Sequence, residues 1–208
     1  MEKLCRRKVS KIKSSKCAHL IVKFYWLTHL QIKFSRRFRN VNNRNKRDIF
    51  ISVDGTHYPI FELRLFSPCY FSHKLNRAGM SYEIGLSLQS SDIVWVNGGF
   101  PAGKYNDIKI ARYGLFNWLE DGEKVVADDG YRGSQKVIYP KSGRSDNRLL
   151  RKILARHEMI NARAKRYRVL QDVYTRERAF HCTMTHAIFN MVQIELDTGC
   201  LFLPAIRY

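Results

Sequence analysis

Apolar and polar positions alternate in short runs through the first two thirds of the chain, which is typical of β-strands. The apolar run at 48–53 is followed by Asp54 and a Gly-Thr pair, which predicts a strand that ends at a turn. The residues GGFPAG at 98–103 are typical of a loop. The predicted strands lie at about 48–53, 58–65, 81–89 and 92–96, within 123–133, and at 136–140.

Apolar positions at helical spacing predict three helices. Asn106 is a suitable N-cap for a helix over about 107–120, and a long basic helix follows at about 147–170. The helix predicted at 177–196 has an apolar stripe, which runs through Phe180, Met184, Ala187, Met191 and Ile194. Strands that come early, with helices between and after them, predict a mixed α/β domain with one sheet and helices packed on it.

Charge is distributed unevenly along the 208 residues, whose net charge is +19. Residues 1–47 hold 15 Lys and Arg and a single acid, Glu2, whereas the remaining residues hold 22 Lys and Arg against 17 acids. We therefore divide the chain into a basic N-terminal arm, 1–47, and a domain, 48–208. A basic arm favours a polyanion, and nucleic acid before an anionic membrane, although a solvated tail without a fixed partner has the same composition.

The cysteines and the apolar N-terminal stretch bear on the compartment. The five cysteines are scattered, and none forms a CxxC pair, which favours a reducing compartment over a disulfide framework. A zinc-finger-like set could be drawn from Cys5, Cys17, His19 and His29, but its spacing fits no standard pattern. The apolar stretch 18–30 is too short to cross a membrane. The basic clusters predict a nuclear location, with a mitochondrial presequence as the alternative.

Three acids stand out as candidates for a shared site. Asp54 and Asp128 each follow an apolar strand and precede a glycine, and such strand ends are where α/β proteins commonly build sites. Glu158 lies in a helix that is otherwise crowded with Arg and Lys. Taken singly, the aspartates are also typical of turns, and the glutamate of a surface ion pair.

Four motifs in order give the chain its resemblance to a known family. These are VDGTHYPI, KLNRAGMSYEIGLSL, the segment from VNGGFPAG to ADDGYRG, and RHEMINARAKRYRVL. Over about 48–200 the chain resembles the catalytic domain of PIF/Harbinger-type DDE transposases, a group that includes domesticated Harbinger-derived nucleases. The resemblance implies an RNase H-like fold, in which a mixed sheet is flanked by helices.

The resemblance also implies a catalytic triad that binds divalent metal, Mg²⁺ or Mn²⁺. Its first Asp corresponds to Asp54, its second to Asp128 and its Glu to Glu158. Position 129 is Asp where the family usually has Gly or Ser, so Asp129 stays open as the second ligand. Asp107 matches a family Asp whose role is less defined. Carboxylates are the ligands that hard divalent ions prefer, and three held together should raise the pKa of at least one.

The expected function is that of a metal-dependent DNA endonuclease of the transposase type, with DNA as its partner and no membrane association. On the long basic helix, Arg156, Arg163, Lys165 and Arg166 are expected to contact DNA phosphates. Transposases of this kind usually carry an N-terminal helix-turn-helix-type region, and the arm is too short and irregular to supply one. We therefore expect the arm to be a truncated remnant or unrelated sequence, and expect a separate DNA-binding partner protein. The alternative is a domesticated or decayed nucleic-acid-binding protein that keeps the fold without catalysis.

Overall fold

A computed structural model describes residues 32–40, 48–62, 65–140 and 147–199. Its six strands and four α-helices are numbered here in chain order within those residues. The strands are β1 (Ile49–Pro59), β2 (Phe71–Ser72), β3 (Arg77–Ser87), β4 (Ile93–Pro101), β5 (Lys124–Val126) and β6 (Val137–Ile138). The helices are α1 (Asp107–Tyr113), α2 (Asn147–Ala164), α3 (Arg168–Gln171) and α4 (Arg178–Asp197).

The strands form one mixed sheet. Strand β3 pairs antiparallel with β1, β2 and β4, while β1 pairs parallel with β5 and β5 pairs parallel with β6. Helices flank this sheet. The expected α/β class, a mixed sheet with helices packed on it as in RNase H-like proteins, is confirmed.

Strand β1 does not end at Asp54, as the Gly-Thr pair predicted. It continues to Pro59, and Asp54 and Gly55 pair with Ile84 and Glu83 of β3. The long β3 supplies a partner for every residue from Ile51 to Pro59, so the Gly-Thr pair stays extended. The separate strand predicted at 58–65 was therefore wrong, because its first residues belong to β1.

Three other elements also differ from the sequence pattern. Strand β4 runs through most of the GGFPAG segment, since β3 pairs with it as far as Pro101. Helix α1 ends at Tyr113 instead of about 120, because Gly114 interrupts it before a 3-10 turn at Leu115–Asn117. The predicted helix at 147–170 is likewise divided into α2 and α3. The sequence KSGRSDN at 141–147 predicts a linker before α2, and its residues 141–146 lie outside the described part of the chain.

The sheet has a core on each face. On one face Ile51 and Val53 pack with Ile108 and Leu115 in and after α1. On the other, Tyr58 and Ile84 pack with residues of α2 and α4, among them Ile160, Ala164, Ile188, Phe189 and Val192. Successive residues of a strand point to opposite faces, so from Ile51 onward even-numbered positions of β1 face α2 and α4 while odd-numbered ones face α1.

Helix α4 buries a different stripe from the one predicted. Ala187 is buried as expected, but Phe180, Met184, Met191 and Ile194 are only partly buried. Polar side chains take up much of the buried face, which is why apolar spacing misplaced it. The buried residues of α4 are His181, Thr185, Ala187, Ile188, Phe189, Asn190, Val192, Gln193 and Leu196.

Part of the basic arm packs against the domain; we call residues 32–40 the anchor segment. It forms a 3-10 turn at Phe34–Phe38. The guanidinium carbon of buried Arg37 lies 4.0 Å from the centre of the Phe34 ring and 3.9 Å from that of the Phe38 ring. The Arg37 guanidinium donates to both carboxylate oxygens of buried Glu123, at 3.0 and 3.3 Å. The division of the chain at residue 48 stays a prediction, and residues 1–31 and 41–47 lie outside the described part. No helix among the described residues is long and apolar enough to span a membrane.

Candidate active site

Strands β1 and β5 bring Asp54 and Asp128 side by side. Their parallel register pairs Ser52 with Val126, and each aspartate lies two residues further along its strand direction. Val126 packs with Ile153 of α2, so alternation places both aspartates on the sheet face that α2 covers. The charge of Asp128 also raises the pKa of Asp54, which indicates that the two carboxylates lie close enough to interact.

The Asp54 carboxyl has an acidity far from its usual value. Its pKa is raised to about 6, mainly by burial and to a lesser extent by the charges of Asp128 and Asp107, while the charge of Lys74 opposes the rise. The expectation that one triad carboxyl would have a raised pKa is thus confirmed in direction. Burial contributes more to the shift than the neighbouring carboxylates do.

Asp107 is the third acid that the fold brings to this place. It is the first residue of α1, after the N-cap Asn106, and it is buried. A Cβ added to Gly55 would lie 2.2 Å from Asp107 Oδ1, and one added to Gly130 would lie 2.8 Å from Oδ2. The glycines that follow the two aspartate motifs therefore make room for the Asp107 carboxylate, which explains why glycine follows each motif.

Lys74 supplies the positive charge at this site. Its ammonium donates to Asp107 Oδ2 at 3.2 Å and to the Gly55 carbonyl oxygen at 3.0 Å. Of the charges that act on Asp54, Lys74 has the largest effect. We call Asp54, Asp107, Asp128 and Lys74 the acid cluster: the charges of Lys74, Asp128 and Asp107 all act on Asp54, and Lys74 contacts Asp107.

Asp129 is turned away from the cluster. Its carboxylate forms an exposed ion pair with Arg132, at 2.9 Å, in the 3-10 turn Asp129–Tyr131. Asp128, in contrast, accepts a hydrogen bond from the Gly130 backbone at 2.9 Å. These contacts favour Asp128 over Asp129 as the second ligand, an assignment that stays a prediction.

Glu158 lies on the helix that packs against β1, but outside the acid cluster. The preceding residue, His157, is buried, and its Nε2 lies 2.9 Å from Ser52 Oγ. Ser52 shares the α2 face of β1 with Asp54. Glu158 itself is exposed and is not among the described residues whose charge shifts the pKa of Asp54. The structure thus brings together two of the three predicted triad acids and places the third on the adjacent helix.

The basic residues expected to contact DNA divide into two groups. Lys165 and Arg166 are exposed, as a phosphate contact requires. Arg156 is buried and donates to the backbone carbonyls of Ser87 and Ser90 at 2.8 and 2.9 Å, so its expected role was wrong. Arg163 is partly buried and forms an ion pair with Glu195 on α4. Arg156 and Arg163 lie on the side of α2 that faces the rest of the domain, which explains why both differ from the expectation.

Glu83 is a further buried acid close to the cluster. It pairs with Gly55 across the strands, and its Oε2 accepts a hydrogen bond from Trp95 Nε1 at 2.9 Å. Burial raises its pKa to about 8, so the carboxyl is mostly protonated at neutral pH. A neutral Glu83 adds no further negative charge beside Asp107.

The acid cluster offers the oxygen ligands that Mg²⁺ and Mn²⁺ prefer, so its chemistry fits such an ion. Asp54 and Asp128 follow paired positions of β1 and β5, so their carboxylates can both reach one ion. Within residues 32–40, 48–62, 65–140 and 147–199, however, no three His, Cys, Asp or Glu side chains are arranged as a complete metal-binding group. Asp54 and Asp128 therefore supply two of the ligands for such an ion, and Glu158 would have to complete the set.

Two members of the acid cluster were not assigned a defined role from the sequence. Asp107 matches a family Asp, but it also follows an N-cap asparagine, where acids are common for helix-dipole reasons, so its role was left undefined. Lys74 lies in the turn between β2 and β3, and a turn lysine is ordinarily solvated. Only the packing of that turn against β1 shows that Lys74 belongs to the acid cluster.

The protein-family comparison agrees with this arrangement. Residues 53–193, more than half of the chain, match the family model described as DDE superfamily endonuclease. The comparisons with curated proteins and with solved structures gave no match. The matched range extends from the residue before Asp54 through β5 and α2 into α4, and includes all of the acid cluster. The chain belongs to the DDE superfamily endonucleases.

Proposed function

We propose that the protein is a metal-dependent, transposase-like DNA endonuclease of the PIF/Harbinger type, derived from a transposable element. The observation that supports it most is the register of β1 and β5, which holds Asp54 and Asp128 side by side on one face of the sheet. Two carboxylates held close at positions fixed by strands are suited to bind divalent ions at an anionic phosphodiester.

In this proposal Asp54, Asp128 and Glu158 hold the ions. When bound, Mg²⁺ or Mn²⁺ supplies Lewis-acid activation of the attacking oxygen and stabilisation of the leaving oxygen. Strand β1 and the residues after β5 fix the two aspartates, which are both partly buried. Glu158 would approach from α2, whose buried His157 is joined to Ser52 on the same face of β1.

The DNA path in this proposal follows the exposed basic side of α2. Lys165 and Arg166 extend this surface into the turn after α2 and are free of the inward contacts that hold Arg156. Positive charge there would position the backbone without reading sequence. The basic arm would add non-specific affinity and direct the protein to the nucleus, where a separate DNA-binding partner protein would supply target choice.

Cleavage of supercoiled plasmid tests this function. Wild-type protein with Mg²⁺ or Mn²⁺ is expected to nick the plasmid, and EDTA is expected to abolish nicking. Removing a residue that only hydrogen-bonds to a metal ligand typically lowers metal affinity or activity about 10–100-fold. Loss of a ligand itself, in Asp54→Asn, Asp128→Asn or Glu158→Gln, should therefore lower nicking at least about 100-fold.

Two exposed acids provide matched controls for charge and fold. Asp129→Asn is expected to nick as wild type does, and so is Glu177→Gln, which lies at the start of α4. Equal nicking by wild type and Asp128→Asn would contradict the proposal.

A second candidate is a DNA-binding protein that keeps this fold without catalysis. It is favoured by the position of Glu158, whose exposed carboxylate lies outside the acid cluster. This candidate predicts salt-dependent DNA binding, with no nicking in either metal. Binding and nicking measured on the same preparation distinguish the two.

A further inference from the structure

The acid cluster contains a cation of its own, and the triad does not account for it. The Lys74 ammonium contacts Asp107 Oδ2 and the carbonyl oxygen of Gly55, the residue next to Asp54. Its side chain is about half exposed, 49%, whereas that of Asp107 is only 10% exposed. Lys74 therefore reaches the buried carboxylates from the solvent side.

The turn that carries Lys74 is held in place by side-chain contacts. The Ser72 hydroxyl accepts a hydrogen bond from Leu75 N at 3.2 Å and lies 2.7 Å from Nδ1 of His57, a residue of β1. Asn76 closes the turn in the left-handed region, at φ 52°. The backbone of Lys74 is thus fixed to the strand that carries Asp54.

The charges in the acid cluster determine how Lys74 would affect a bound divalent ion. The cluster holds three carboxylates and one ammonium group, which contacts Asp107 and lowers the pKa of Asp54, so Lys74 neutralises part of the cluster when no ion is bound. A divalent ion at Asp54 and Asp128 would be attracted by the same carboxylates and repelled by the Lys74 charge. The two cations therefore compete for one negative field.

We propose that Lys74 is the resident cation of the acid cluster, and that its ammonium sets the affinity of the site for divalent ions by opposing their binding. This inference rests on the proposed function, because it presumes that Asp54 and Asp128 bind the ion. Lys74 is a positioning and charge-balancing residue, which adds to the triad instead of replacing any member of it. The exposed half of its side chain gives the ammonium room to move outward when an ion enters.

Titration with Mn²⁺, followed by calorimetry, tests the proposal on the whole chain without DNA. Removing one positive charge a few ångströms from a divalent ion should tighten binding about tenfold, even with water-like screening. Lys74→Met is therefore expected to bind Mn²⁺ about tenfold more tightly than wild type. Lys74→Arg, which keeps the charge, should restore weak binding.

Two further variants separate charge from general damage. Lys152→Met removes an exposed lysine of α2 and should leave Mn²⁺ affinity unchanged. Ser72→Ala keeps the Lys74 charge but loosens its turn, and should tighten binding by less than Lys74→Met does. It also tests the proposal if Lys74→Met fails to fold. A damaged fold would weaken binding, so a gain in affinity is a specific signature.

The outcomes for the proposal and for the function can be told apart. Tighter Mn²⁺ binding by Lys74→Met, or binding by this variant alone, supports the proposal. Binding by wild type that is unchanged or weaker in Lys74→Met and in Ser72→Ala overturns the role of Lys74 and leaves the proposed function intact. No Mn²⁺ binding by any of these proteins overturns both.

Discussion

The anchor segment and the acid cluster both bring acidic and basic side chains together, but they balance charge differently. In the anchor segment, buried Arg37 meets both oxygens of buried Glu123. Glu123 also accepts a hydrogen bond from the Glu120 backbone, at 2.9 Å. The acid cluster has three carboxylates against the one ammonium group of Lys74, and the pKa of Asp54 is raised to about 6.

This difference separates structural charge pairing from a site prepared for a ligand. A buried pair with both partners satisfied fixes how two segments pack. A cluster with excess negative charge costs stability in the free protein, and such perturbed groups are typical of functional sites. The acid cluster keeps this imbalance where the pairing of β1 with β5 ends, and an added cation would relieve it.

Breaking the anchor should have the largest effect on stability. Arg37→Met leaves the buried Glu123 carboxylate without its partner, which should lower the free energy of unfolding by about 3–5 kcal/mol. Arg39→Met is the control: Arg39 pairs with Asp92, but its side chain is 55% exposed, and the loss should be about 1 kcal/mol or less. Urea denaturation of both variants measures the difference. Equal, small losses would show that the anchor segment contributes little.

Removing the Asp54 charge should stabilise the ion-free protein in a pH-dependent way. The pKa of this carboxyl is about 6 in the folded chain against 3.8 ordinarily, so the folded state holds the proton more tightly. Wild-type stability should therefore fall as pH rises from about 4 to 6 and remain lower above that window. Asp54→Asn lacks this loss, and should be more stable by on the order of 2–3 kcal/mol at pH 8.

At pH 5 the advantage of Asp54→Asn over wild type should be clearly smaller than at pH 8. Denaturation at the two pH values, without divalent ions, makes the comparison, and Asp129→Asn serves as the exposed control. An advantage that did not change with pH would contradict the raised pKa of Asp54.

Filling the space beside Asp107 should have a moderate effect. Gly55→Ala places a Cβ where the Asp107 carboxylate now lies, and such overpacking should cost about 1–3 kcal/mol of stability. Combining it with Asp107→Ala removes the clash, so the double variant should lose less than the sum of the single ones. Strict additivity in thermal or urea unfolding would show that the two residues do not meet.

The exposed pair beside the cluster should matter least. Arg132→Met breaks the contact with Asp129, but both side chains are more than half exposed, at 57% and 60%. Solvent screening should limit the loss of stability to about 1 kcal/mol or less, and Mn²⁺ affinity should stay unchanged. A large change in Mn²⁺ affinity on calorimetric titration would place Asp129 inside the site.

The sequence contained enough information for the mixed α/β class and for choosing Asp54 and Asp128 as candidates for one site. Each aspartate follows an apolar strand, and parallel pairing of those strands brings the positions together. The length of β1 could not be predicted, because extension past Gly55 depends on pairing with β3, far along the chain. Local turn chemistry at Gly55 and Thr56 was overridden by that tertiary pairing.

The remaining misses come from contacts that leave no local pattern. Arg156 has the same spacing as its exposed basic neighbours, yet it turns inward because carbonyl groups after β3 accept its hydrogen bonds. Arg37 looks like one more charge of a basic arm until Glu123 is seen to bind it. Lys74 joins the acid cluster only because Ser72 and His57 hold its turn on β1.

The central claim is that Asp54 and Asp128 form the core of a divalent-cation site. It is tested most directly by the Mn²⁺-induced rise in stability of wild type, Asp128→Asn and Asp129→Asn. A hundredfold excess of Mn²⁺ over its Kd should stabilise wild type and Asp129→Asn by about 2.7 kcal/mol, and Asp128→Asn by much less. An equal rise in all three proteins, or a rise lost only in Asp129→Asn, would contradict the claim.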